Sequence, residues 1–227
     1  MKKNTMMRLA SFLLVAVLIS TSAISGTYAK YVTEATGSET ARVAKWGVTI
    51  QANGTTFAKE YDKHDAAFTE AKSVISTDLV VAPGTNGDMA SMTLAGVPEV
   101  AVRVSYTGKF DISDNWLDGD GKFYCPLVIT VKNGVSHTGV KFDGRAYDNA
   151  AAFEQSVNNA IGAYSKDYPA GTNLSGLSND SLDITWEWPF STSAENDVRD
   201  TALGNQAVLG NAATVTVAVT TTVTQID

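Results

Sequence analysis

The chain has 227 residues, with 17 Lys and Arg against 24 Asp and Glu, a net charge of −7. So acidic a chain repels phosphate backbones, which argues against nucleic acid as a partner. Its single cysteine, Cys125, excludes an internal disulfide, and its length suits one sizeable domain or two small ones.

Lys2, Lys3 and Arg8 open the chain, Leu9–Ile19 form an apolar run, and small and hydroxyl residues lead on to Thr27-Tyr28-Ala29. That order of charge, apolar core and small-residue exit reads as a secretory signal peptide, residues 1–29. A membrane span needs about 20 apolar residues, more than this run offers. Thr21/Ala23 and Thr27/Ala29 both meet the small-residue requirement of a signal peptidase. Cleavage between Ala29 and Lys30 is preferred, because Lys30-Tyr31-Val32 then opens the mature chain as a strand-like segment. The cut removes three basic residues and no acidic one, leaving 14 basic against 24 acidic residues, a net charge of −10. Residues 30–227 contain no linker or repeat and read as one domain.

β structure dominates residues 30–227. Ala44, Trp46, Val48 and Ile50 alternate with Val43, Lys45 and Thr49. Phe57 to Ile75 has a weak helical spacing and is expected to be helix or loop. Val100, Val102, Val104 and Tyr106 alternate with Ala101, Arg103 and Ser105, and Leu127-Val-Ile-Thr-Val131 is apolar almost throughout, as in a central strand. Ala150, Phe153, Val157, Ile161 and Tyr164 recur at helical spacing, with Asp148 as the expected N-cap. Ile184, Trp186 and Trp188 share one face of a further strand. At the C-terminus, Val215, Val217, Val219 and Val223 face one way, and Thr214, Thr216, Thr220, Thr222 and Thr224 the other. Pro83-Gly84, Asn86-Gly87, Asp118–Gly121 and Asn133-Gly134 read as turns. Together these predict an all-β, jelly-roll-like antiparallel β-sandwich with one or two short helices in its connections.

Little points to catalysis, and no cofactor is expected. Cys125, within Phe-Tyr-Cys-Pro-Leu-Val-Ile, reads as a buried hydrophobe. His64 and His137 do not form the His-Glu-x-x-His pattern of zinc peptidases, and no Gly-x-Ser-x-Gly elbow is present. Asp114, Asp118 and Asp120, with Gly119 and Gly121, form a weak calcium candidate, since close oxygen ligands on a glycine-rich loop suit that ion. The series lacks a complete Asp-x-Asp-x-Asp-Gly run and a later bidentate Glu, so a turn is preferred. Trp186 and Trp188 could offer a sugar-stacking platform, but core filling is the commoner use of such a pair. Tyr106, Trp116, Phe123 and Tyr124 read the same way.

The leader running into Thr27–Tyr31, with Ala41-Arg-Val-Ala-Lys-Trp-Gly-Val48 after it, resembles the TasA/CalY (camelysin) family of SipW-processed exports of Gram-positive bacteria. Val80-Val-Ala-Pro-Gly-Thr-Asn-Gly87 is similar to a Leu-x-Pro-Gly-Asp-type turn of that family. Trp186–Phe190, Asp200–Gly204 and the Gln225-Ile-Asp end look like a clostridial branch. The likeness is carried by the first 50 residues and the Pro-Gly turn, and is thin elsewhere.

The resemblance implies a jelly-roll subunit of extracellular or biofilm fibres, non-enzymatic, secreted or held at the cell surface. It implies a SipW-type signal peptidase during export, and copies of the chain itself as partner, with other matrix components possible. Its donor strand would be Lys30, Tyr31, Val32, Thr33, Glu34, Ala35 and Thr36, given to the open sheet edge of the next subunit. Read from the residues alone, that segment could equally be a disordered tail or pair within its own subunit. The resemblance also raises a metalloprotease activity, which the spacing of His64 and His137 does not support. The alternative function is a secreted or surface-held sandwich that binds polysaccharide or cell wall.

Overall fold

The computed structural model describes residues 32–36, 40–42, 48–53, 57–62, 72–134, 138–177, 180–190 and 193–226. The leader, the Ala29–Lys30 cleavage site, Tyr31, Trp46, His64 and His137 lie outside the described residues.

Residues Val32–Asp227 make one compact unit. Its strands are β1 (Val32–Thr36), β2 (Thr40–Arg42), β3 (Val48–Asn53), β4 (Ala58–Asp62), β5 (Lys72–Val80), β6 (Asn86–Gly96), β7 (Val102–Ile112), β8 (Val128–Lys132), β9 (Val140–Asp143), β10 (Ser165–Tyr168), β11 (Leu182–Glu187) and β12 (Val215–Gln225). Helix α1 covers Ala150–Gly162 and helix α2 Ala194–Val208. A four-stranded sheet in the order β1-β12-β7-β10 faces a six-stranded sheet in the order β2-β3-β6-β11-β8-β9, and β4-β5 is a separate hairpin. The named pairings are all antiparallel, and the fold is an all-β sandwich with short helices.

The core arises from period-two patterning. Val102, Val104, Tyr106, Phe110 and Ile112 on β7 are buried and alternate with exposed or half-buried neighbours. Ile50, Leu94, Ile129, Ile184 and Trp186 meet them from the opposite sheet, in one continuous cluster. Helix α1 buries Phe153, Val157 and Ile161, one stripe at a spacing of four. Its N-cap is Asn149, whose side chain accepts the Ala152 N–H at 2.9 Å, one residue after the expected Asp148.

Two further expectations are corrected. Phe57 to Ile75 is not helical where described: Ala58–Asp62 and Lys72–Val80 form the β4-β5 hairpin, anchored where Phe57 (tilted) and Tyr61 (edge-on) pack against Trp186 at ring-centroid distances of 5.4 and 6.1 Å. Asn86-Gly87 is the start of β6 and not a turn; the turn sits at Pro83-Gly84, where Gly84 adopts a φ of 81°. The two helices, α1 and α2, agree with the one or two short helices expected, although the periodicity places only α1.

Candidate assembly interface

The C-terminal strand is the structural axis of the four-stranded sheet. β12 pairs with β7 along its whole length, Val215 opposite Ile112 through Gln225 opposite Val102. Val219, Thr221 and Val223 point inward and are buried, while Val215 and Val217 are half-buried on the same face. Each fully buried valine is worth roughly 1.5–3 kcal/mol, which fixes the register, because a one-residue slip would turn threonines into the core.

Among the described residues, the other side of β12 is only half covered. The Ser113 N–H donates to the Thr214 carbonyl at 3.0 Å, so even-numbered β12 residues turn their backbone groups toward β7. The odd-numbered residues therefore face outward. β1 pairs there along Thr220–Thr224, with Val32 opposite Thr224 and Thr36 opposite Thr220. Among the described residues, no strand covers β12 from Val215 to Val219.

Thus Val32, Thr33, Glu34, Ala35 and Thr36 of the expected donor segment pair within their own subunit, as an edge strand of five residues. Lys30 and Tyr31 lie outside the described residues.

The remaining described edges of the two large sheets are closed differently. β10 pairs with β7 along Val102–Ser105, and side chains of α1 take over beyond it. In the six-stranded sheet the outer strands are β2, three residues, and β9, four residues, too short to template much pairing. β9 also carries Lys141, 3.4 Å from Glu187.

The other candidate residues do not form a site. Asp118 Oδ1 accepts the N–H groups of Asp120 and Lys122, both at 3.0 Å, and Oδ2 lies 3.7 Å from Arg199. Its carboxylate thus ties the turn to itself and to α2, while Asp114 and Asp120 are exposed. Among the described residues, no group of three His, Cys, Asp or Glu is placed to hold a metal. Cys125 is fully buried, and burial pushes its thiol up to about 12, away from nucleophilic use. Trp186 and Trp188 are 2% and 6% exposed, Trp188 packing on Trp116 at 6.0 Å, so neither presents a face to a sugar. Tyr106, Trp116 and Tyr124 are buried, and Phe123 partly so.

Sequence reading does not find α2 or its anchors. Leu203 is the helix's buried residue, too little for a helical stripe. Gln206 donates to the Leu117 carbonyl at 2.9 Å, and the Tyr124 hydroxyl donates to Asp200 at 2.9 Å. Ser193 before Glu195 and Asp197 in the first turn is the signal that marks its start.

Comparison of the chain with protein-family models, curated proteins and solved structures found no match.

Proposed function

We propose that this protein is a secreted structural subunit of an extracellular fibre, assembling when the N-terminal strand of one copy pairs with β12 of another. The observation that carries the reading is the coverage of β12. Among the described residues, its outer edge is occupied along Thr220–Thr224, by the segment that a cut after Ala29 would place at the new N-terminus.

Exchange of that strand between copies costs little, because the pairing lost in one subunit is regained in the next. Backbone hydrogen bonds supply affinity, and the inward alternation of β12 supplies register. A long β edge beside a short, terminal strand is a template for addition, whereas the other described edges of the two large sheets are shortened or plugged. The acidic surface keeps single copies apart until a directional contact brings them together. A SipW-type peptidase would release the segment during export, and other matrix components could join the fibre.

Trp186 and Trp188, the pair that could have offered a sugar-stacking platform, are turned into the core, which favours the structural reading. Deletion of Lys30–Thr36 tests it. The fibre reading expects filaments from the processed wild type in negative-stain micrographs and none from the deletion; normal filaments from the deletion would end it.

A further inference from the structure

Past Val102–Ser105, where β10 pairs, the second edge of β7 is closed by side chains and not by a strand. Beyond β10, helix α1 lies against β7 with Ile161 over Gly108, so close that a Cβ at Gly108 would stand 2.5 Å from Ile161 Cδ1. Next to that contact, Asn158 gives its whole amide to one residue: Oδ1 accepts the Phe110 N–H at 2.7 Å, and Nδ2 donates to the Phe110 carbonyl at 3.0 Å. One helical turn earlier, Glu154 Oε1 accepts the Ile112 N–H at 2.8 Å.

Such a side-chain amide offers the same donor and acceptor as a residue of a neighbouring strand. The spacing matches as well. Four helical residues rise about 6 Å. Two strand residues advance about 6.6–6.8 Å. Residues 154 and 158 therefore meet positions 112 and 110 in antiparallel order, as a strand would. Three outward backbone groups of β7, the Phe110 N–H and carbonyl and the Ile112 N–H, which would otherwise invite pairing, are satisfied from within the molecule.

We propose that Asn158 and Glu154 form an edge lock that stops a second copy of the chain from pairing along Phe110–Ile112. The lock rests on this geometry alone. Its consequence for assembly rests on the fibre reading: strand addition is confined to β12, and a filament has one kind of joint.

Two measurements test the lock. In the wild type, the amides of Phe110 and Ile112 exchange with solvent as slowly as those of Lys109 and Asp111, which face β12, to within about tenfold; free exchange at Phe110 and Ile112 overturns the proposal. In the double variant Glu154→Leu with Asn158→Leu, both amides lose protection by about tenfold or more, the size expected for a lost hydrogen bond. Copies of that variant then pair through the opened edge. Spin labels on Asp111→Cys, an exposed position, report this as dipolar coupling between molecules, which is absent without the two leucines. A folded double variant that stays monomeric and uncoupled overturns the lock. The single variant Asn158→Leu carries the same test with less disturbance of the helix. Wild-type filaments without label coupling in the variant would remove the lock and leave the fibre reading standing. Coupling in the variant of a wild type that makes no filaments would do the reverse.

Discussion

The Lys166 ammonium bonds both carboxylate oxygens of Asp180, at 3.1 and 2.9 Å, although the Asp180 side chain is only 6% exposed. The pair ties β10 to the segment that leads into β11. Around it, the Tyr106 hydroxyl donates to the Asp180 carbonyl at 2.8 Å, and the Tyr164 and Tyr168 hydroxyls share a hydrogen bond at 2.5 Å. Burial raises all three phenols, Tyr164 to about 12, so they stay neutral donors across the physiological range. Replacing Asp180 by Ala is expected to cost roughly 1–3 kcal/mol, between the values for exposed and buried pairs because the ammonium is half exposed. Urea unfolding of Asp180→Ala, Lys166→Met and the double variant checks this; the single effects should fail to add by more than about 0.5 kcal/mol.

Thr221 supplies a second test. It lies opposite Tyr106 on one side and Ala35 on the other, fully buried, and among the described residues its hydroxyl has no hydrogen-bond partner. A buried, unpaired hydroxyl costs about 1–3 kcal/mol. Thr221→Val removes that cost while keeping the β-branched shape, so its thermal midpoint should rise above that of the wild type. An unchanged or lower midpoint would show that the hydroxyl is satisfied in solution.

Much of the sandwich is legible because Val, Thr and Ile alternate without interruption. The pattern marks β12 to within a residue at each end, and the buried faces of β7 and β11 show in Val102, Val104, Tyr106, Ile184 and Trp186. β6 is not legible. Its register against β11 skips Met89, so that Ala90 and Asp88 oppose the adjacent residues Ile184 and Thr185. Such a bulge breaks the period-two pattern, and the buried residues Met89 and Met92 fall three apart. Asn86-Gly87 then looks like a hairpin turn, though both residues pair with β11. Within the candidate site, the Thr/Val alternation announces β12, but nothing in Val32–Thr36 says which edge it joins. Asn158 and Glu154 likewise read as ordinary polar positions on the exposed side of a helix. Their role depends on where β10 stops, which is a tertiary fact.

Asp200 makes stability depend on pH. Burial raises its carboxyl above the ordinary aspartate value of 3.8, although the Tyr124 hydroxyl bonds it and opposes the shift. A raised folded pKa means that the native state holds the proton longer than the unfolded chain does. The stabilisation is therefore fully present below 3.8 and is lost as pH rises through the folded value. Asp200→Asn keeps an oxygen for Tyr124 and carries no charge. Its unfolding midpoint should fall less than that of the wild type between pH 3.8 and neutrality. Parallel curves for the two proteins across that window would contradict the assignment.

Strand exchange is tested most directly by a disulfide placed across the β1–β12 pair. Glu34 lies opposite Thr222, whose backbone groups turn toward β7, so the two positions form a close, non-hydrogen-bonded pair suited to a disulfide. The native Cys125 is buried and does not compete. In Glu34→Cys with Thr222→Cys, oxidation before assembly should lock β1 onto its own subunit and abolish filaments, and reductant should restore them. Oxidation after assembly should link neighbouring copies, giving a ladder of multimers on a non-reducing gel. Filaments that form from the pre-oxidised protein, or that yield only monomers when oxidised after assembly, would contradict exchange of the N-terminal strand.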